Sequence, residues 1–159
     1  MRHTVGVADM KISGEPGDVL VPHALGSCLG IAVHAPIAQV GGLLHVMLPQ
    51  ARINPAKAES NPCMFVDAGV PRFFQMLYSA GVCRSRLVAK VAGGASVTEG
   101  SADRFNIGQR NILMLRKLLW KNNILLAGED VGGHVARTMY LEIGSGRVWL
   151  HAQSQNTEL

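Results

Sequence analysis

Residues 19–49 of this chain read VLVPHALGSCLGIAVHAPIAQVGGLLHVMLP. Two apolar runs rich in β-branched residues, Leu29–Val33 and Val40–Leu48, flank a breaker-like stretch, His34–Gln39, that contains Pro36. The pattern predicts an antiparallel hairpin. With its turn centred between Pro36 and Ile37, Cys28 falls directly opposite His45. Directly opposed residues carry Cβ atoms roughly 4.5–5.5 Å apart, near enough for an imidazole to take a thiol proton. A one-residue error in the turn centre moves the partner by two positions, to a diagonal neighbour on the same face. The pairing therefore tolerates a small mistake in register, though not a different topology.

The chemistry follows from the pair. Thiolate is the nucleophilic form of cysteine, and a nearby histidine can lower the thiol pKa and later return a proton to a leaving group. A catalytic Cys28 is then expected to have a depressed pKa and to alkylate faster than Cys63 or Cys83. Gly26 and Ser27 place small residues just before the thiol, so the backbone can turn sharply and its N–H groups can converge on a developing oxyanion. A plainer reading stays open at this point. Free cysteine is among the most buried residue types, and a histidine within GGLLHVMLP can be a hydrogen-bonded core residue.

Composition bounds the alternatives. A chain of 159 residues fits one domain, and a hydrophobic content of 48% with 16% charged residues is that of a packed globular chain. The organisation expected is a single domain over residues 1–152 followed by a polar, frayed tail over 153–159. The three cysteines form no CxxC pair. The N-terminal MRHTVGVADM lacks the continuous apolar stretch of a signal peptide, and no apolar run reaches the length of a membrane span. A reducing cytoplasm suits a free thiol. The net charge of +4 and pI near 9.3 raise the question of nucleic acid, but the arginines are scattered and aromatics make up only 5% of the chain. A basic stripe with stacking platforms is not supported, and attraction to an acidic protein surface fits as well.

Along the chain the pattern mixes α and β. Thr4–Ile12 is expected as a first strand, followed by the hairpin, and Gln50–Asn61 as a polar loop bordering the site. Asn61-Pro62 offers an N-cap and a first-turn proline for a helix running to Tyr78, with Val66, Val70, Phe73, Phe74 and Leu77 on one face. Pro71 should kink or restart it. Arg86–Val91 is expected as a strand, Ile107–Lys121 as a helix capped by Asn106 and buried through Ile112, Leu115, Leu118 and Leu119, and Ile124–Ala127 as a short strand. Thr138–Ile143 and Arg147–Ala152 form a closing hairpin.

Other features carry less. Gly93-Gly94 and Gly132-Gly133 can bring backbone close to a substrate or simply serve turns, and neither lies in a nucleotide-binding pattern. Ser96 and Thr98 are candidate polar lining residues. Asp130 can orient a histidine or an arginine such as Arg137, or form a structural ion pair. His23, His34, His134 and His151 show no metal-ligand spacing, so no metal is expected.

Taken together, Leu25-Gly26-Ser27-Cys28, Gly41-Gly42, His45-Val46-Met47-Leu48-Pro49, Ala92-Gly93-Gly94-Ala95, Asn106-Ile107-Gly108-Gln109-Arg110-Asn111, and Glu129-Asp130-Val131-Gly132-Gly133 with Arg137 occur in the order of one family. The chain resembles the CheD family of chemoreceptor glutamine deamidases from about Val5 to Leu150. The resemblance implies an α+β fold, an α/β/β/α-type sandwich with mixed sheets related to the catalytic domain of cytotoxic necrotizing factor toxins. It also implies a cysteine amidohydrolase that converts selected receptor glutamines to glutamate and releases ammonia, without metal or organic cofactor. Cys28 matches the family nucleophile and His45 its general base. The family's third site residue, a threonine six positions before the cysteine, is replaced here by Pro22, which has neither hydroxyl nor N–H. Its carbonyl can still accept from the imidazole, and Thr98 and Asp130 are other candidates. The implied partners are the helical cytoplasmic domain of a chemoreceptor and a CheC-type phosphatase. An adaptor with weakened catalysis is the alternative, and a hydrolase of small amides or esters a third reading.

Overall fold

The structure is a computed structural model that describes residues 1–96 and 105–159. Ten strands form two mixed five-stranded sheets, and three helices accompany them among the described residues. The first sheet has the order β1 (Arg2–Thr4), β3 (Val19–Val21), β8 (Thr138–Glu142), β9 (Val148–Ala152), β10 (Gln155–Glu158). The second has the order β2 (Asp9–Ser13), β5 (Val40–Val46), β4 (Leu29–Ala35), β6 (Val88–Gly93), β7 (Leu126–Val131). Within them only β1 with β3 and β6 with β7 run parallel.

Alternation along β4 and β5 divides the core in two. Leu29, Ile31, Val33, Leu44 and Val46 face α2 (Val66–Ser79) and α3 (Ile107–Lys121). Ala32 and Leu43 face the first sheet, where they meet Leu20, Leu25, Met139, Leu141 and Leu150. The described layers are therefore sheet, sheet and helices. The fourth, helical layer of the expected α/β/β/α sandwich is not present among the described residues. The outer face of the first sheet instead carries a stack of Tyr140 on Trp149, centroids 5.0 Å apart, with the Arg2 and Arg147 guanidiniums over the two rings.

Several expected elements are corrected by the backbone. The first strand is two, β1 and β2, in different sheets: residues 5–8 cross between them, with Ala8 in the left-handed region at φ +58°. The Gln50–Asn61 loop contains a 3₁₀ turn, Ala51–Ile53, and the short helix α1, Pro55–Ser60. Asn54 caps α1 by accepting from Lys57 N–H, and Pro55 opens its first turn. The same Asn-Pro signal at Asn61-Pro62 starts a 3₁₀ turn, after which α2 continues unbroken through Pro71 to Ser79. The strand expected at Ile124–Ala127 begins at Leu126 and extends to Val131, because it pairs with β6 through Gly93↔Val131.

The segment 153–159 is no frayed tail. Gln153 and Ser154, at φ +49° and +61°, make the left-handed two-residue turn that suits strand twist, and β10 returns along β9. Its polarity reflects an exposed edge strand rather than disorder.

Candidate active site

The β4–β5 hairpin forms with its turn centred between Ile37 and Ala38, one residue later than the sequence suggested. His45 accordingly pairs with Gly30, and Cys28, just before β4, is its diagonal neighbour. Such neighbours have Cα atoms roughly 7–8 Å apart. Both side chains belong to the face directed at the first sheet: Cys28, half-buried, packs on the Leu20–Leu150 cluster, and His45 reaches the Val5 carbonyl beside it. The side of Gly30 that a Cβ would occupy holds Leu25, Met139 and the Pro22 ring, 3.0–3.3 Å away.

His45 is 2% exposed. Its Nδ1 lies 3.1 Å from the Val5 carbonyl oxygen. A carbonyl only accepts, so in the neutral ring Nδ1 carries the proton and Nε2 the lone pair. Nε2 is buried without a hydrogen-bond partner. Burial lowers the His45 pKa, with the Val5 bond opposing it, and burial raises that of the Cys28 thiol, with its own backbone N–H opposing. Burial thus favours the neutral thiol and the neutral imidazole. The depressed thiol pKa expected from the sequence is not what this environment produces.

Val5 is the residue that sequence reasoning missed. It sits in the crossing segment 5–8, fastened by Val5 N–H to Val21 O at 2.9 Å and by Ala8 N–H to the carbonyl of His45 itself at 2.9 Å. The ring's hydrogen-bond partner is therefore this carbonyl rather than that of Pro22. Asp130 does not serve either, because its carboxylate pairs with Arg137 at 2.5 Å. Thr98 lies outside the described residues.

The turn before the thiol is pinned by its carbonyls. Gly26 O accepts from Ala95 N–H at 2.8 Å, Ser27 O from the Asn111 carboxamide at 2.9 Å, and Cys28 O from Gly94 N–H at 2.9 Å. A Cβ on Gly93 would run into the Cys28 carbonyl, and Gly93 holds φ +113°, so this glycine is required by close approach. Gly132 N–H donates in turn to Gly93 O, while Arg137 ties its loop together through Asp130, Gly132 and Val135. Ser96 lies beside this loop, donating its N–H to Gly133 O. Cys63 is buried in the 3₁₀ turn before α2 and Cys83 is exposed. No cluster of metal-ligating side chains occurs among the described residues.

Comparisons with known proteins identify the family. Residues 47–152 match the family model described as CheD chemotactic sensory transduction. The chain is 50% identical over 155 residues to a probable chemoreceptor glutamine deamidase CheD of Solibacter usitatus, covering 98% of this chain and 91% of that one. The chain belongs to the CheD family. A second relative, probable chemoreceptor glutamine deamidase CheD 1 of Syntrophus aciditrophicus, is 46% identical over 146 residues, 92% of this chain and 91% of its own. The family match begins just after His45, but the Solibacter relative spans nearly the whole chain. Among the described residues no helix is long and apolar enough to cross a membrane.

Beyond the pair, two cavities flank α3. One of about 600 Å³ opens between α2 and α3, lined by Phe74, Tyr78 and Leu118, on the opposite side of the second sheet from Cys28. The other, an open groove of about 270 Å³, runs from Pro49 and Gln50, just beyond His45, to Leu113 on α3. Arg52, Arg110 and Lys117 line this second groove and make no ion pair among the described residues.

Proposed function

We propose that this CheD-family chain is a protein-glutamine glutaminase that deamidates selected glutamine side chains of a chemoreceptor through Cys28. The observation that carries the reading is His45: Nδ1 held by a carbonyl, Nε2 buried and unpartnered, on the same sheet face as a half-buried thiol one diagonal step away. A buried polar atom left without a partner costs stability, and such exceptions call for a functional explanation.

His45 Nε2 takes the Cys28 proton as the sulfur attacks the carboxamide carbon of the substrate. The C=O π pair moves onto oxygen, where the N–H groups of Ser27 and Cys28, in the turn opened by Gly26, offer donors. Imidazolium then protonates the nitrogen, the C–N bond breaks, and ammonia leaves a thioester on Cys28. Water, deprotonated by His45, adds to the thioester, and cleavage of the C–S bond releases glutamate and returns the proton to sulfur. No step calls for a cofactor.

The groove from Pro49 to Leu113 supports a receptor as substrate. Its three cations and its exposed Leu113, with Met47 nearby, suit a helical surface carrying carboxylates and apolar side chains. Turning glutamine into glutamate adds a negative charge to that surface. The adaptor reading is not favoured, since the relatives are named deamidases and His45 has an Nδ1 partner despite Pro22. The small-substrate and CheC-type partner readings have no observation of their own.

The test is mass spectrometry of a purified receptor cytoplasmic fragment after incubation with the protein. Wild type should exchange NH₂ for OH at mapped glutamines, Cys28→Ala should not, and His45→Ala should lose about 10²–10⁴-fold in rate. Turnover that survives in Cys28→Ala would overturn the nucleophile assignment.

A further inference from the structure

Asn111 is fully buried on α3, a polar residue on the helix face that otherwise holds Ile112 and Leu115. Its Nδ2 donates to two backbone carbonyls from separate segments, Ser27 O at 2.9 Å in the turn before β4 and Met47 O at 3.0 Å just after β5. The first belongs to the residue before Cys28, the second lies two residues after His45. Its Oδ1 is buried without a partner. Flipping the amide would point oxygen at two carbonyls, so the donor side is fixed by its surroundings.

We propose that Asn111 is a positioning residue for the oxyanion site, a role that rests on the deamidase reading above. The peptide between Ser27 and Cys28 is one rigid plane, with its C=O and N–H pointing in opposite directions. Holding Ser27 O therefore aims the Cys28 N–H away from α3, on the side of the turn where a tetrahedral oxygen would form. The carbonyls on either side of this one are held by main chain, from Ala95 and Gly94. Only the middle peptide, the one that bears the Cys28 N–H, depends on a side chain. The same carboxamide ties this peptide to the strand of His45 through Met47, so donor and base keep a common reference.

The placement of Asn111 follows from the helix. At Gly108 a Cβ would collide with Gly94 O, so the first turn of α3 lies directly on the segment that anchors Cys28. Asn111, three residues on, projects from the same side of the helix. A side chain kept only for packing would leave no orphaned oxygen. Leucine of similar volume would fill the space without one.

The experiment separates the oxyanion site from the thiol itself. Wild type, Asn111→Asp and Asn111→Leu are each titrated with a small aldehyde analogue of the glutamine side chain. The Cys28 sulfur adds to its carbonyl carbon and the electron pair on oxygen needs the N–H donors. Each protein is also alkylated with iodoacetamide, a displacement at carbon that forms no oxyanion. The expected result is aldehyde affinity reduced about 30–100-fold in both variants, with the limiting alkylation rate of Cys28 changed less than about 3-fold. The Asp variant should recover part of the affinity relative to wild type as pH falls and its carboxyl gains a proton to donate, while the Leu variant should not. Equal losses in both assays, or unchanged aldehyde affinity, would overturn the proposal.

Should the variants fail to fold, the wild type decides by amide exchange. The Asn111 side-chain protons should be protected from solvent, and the Cys28 amide proton should shift on aldehyde addition. Rapid exchange or an unmoved Cys28 resonance would overturn it. Because the aldehyde needs no receptor, failure of wild type to convert receptor glutamines would count against the deamidase reading alone.

Discussion

Burial acts on Cys28 and His45 in the same chemical direction, toward the uncharged form of each: it raises the thiol pKa and lowers that of the imidazole. The pair is then poised for proton transfer during attack rather than stored as an ion pair. Two consequences can be measured with the free protein. Alkylation of Cys28 should be slow at neutral pH and rise with an apparent pKa above that of an ordinary thiol. Exposed Cys83, whose pKa is lowered by its hydrogen bond with Ser85, should react first, reversing the order expected from the sequence. The acid limb of kcat/KM should lie below the ordinary imidazole value of about 6.5, since His45 stays neutral to lower pH than a free histidine. A fast, low-pKa Cys28 would show that the environment described is not the one in solution. At this scale the sequence revealed the pair but not its supports. Hairpin periodicity placed Cys28 and His45 on one face to within a diagonal step. The Val5 carbonyl carries no side-chain signal, because any residue offers one and only the crossing of segment 5–8 brings this one to the ring. The role of Asn111 is not legible in the sequence, since a buried amide on an apolar helix face declares its partners only once the strands are in place.

Strand β5 is thin where neighbouring layers press on both its faces. A Cβ on Gly41 would lie 2.8 Å from Ile143 Cδ1, just after β8 of the first sheet, and one on Gly42 would lie 2.9 Å from Phe73 Cε1 of α2. The adjacent glycines thus admit one neighbour on each face of the same strand, as the alternation of a strand requires. Gly42→Ala should push the Phe73 ring out of its site, at a cost of about 1–3 kcal/mol from overpacking. That should lower the thermal midpoint by several degrees in calorimetry while leaving the Cys28 alkylation profile in place. An unchanged midpoint would mean that α2 sits further from β5 than described. Elements with a single strong periodicity were legible: α3 spans Ile107–Lys121 as expected, and the buried face of α2 is the expected set of five side chains. Its continuity through Pro71 was not, because packing on β4 and β5 overrides one missing N–H. The helix α1 was hidden because six residues with no buried side chain show no apolar period, leaving only the Asn54-Pro55 signal. The strand at the C-terminus was not legible, because a polar segment shows no apolar period and an edge strand needs only backbone bonds and a twist-compatible turn.

The molecule separates its tasks by layer. The first sheet and the crossing segment hold His45, β6 and α3 hold the turn of Cys28, and the groove whose cations make no ion pair among the described residues lies between the segment after β5 and the side of α3 that carries Arg110 and Lys117. Sequence charge alone, +4 overall, did not locate this patch, because Arg52 is contributed by the turn after β5 and the other two by α3, where they lie about two turns apart, far from Arg52 along the chain. Long-range attraction of an acidic helical substrate to such a patch is screened over a Debye length of about 8 Å at physiological ionic strength. Replacing Arg110 and Lys117 together by glutamate reverses its sign without touching Cys28, His45 or Asn111. The expected outcome is a fall of about 10-fold or more in kcat/KM for a receptor fragment, carried mainly by KM, together with loss of the wild type's decline in kcat/KM with added salt. Alkylation of Cys28 and affinity for a small aldehyde should stay within about 2-fold, because neither probe reaches the groove. Were kcat/KM for the fragment to remain unchanged in the double variant, the receptor would have to dock elsewhere, and the patch would be no more than a solvated face of α3.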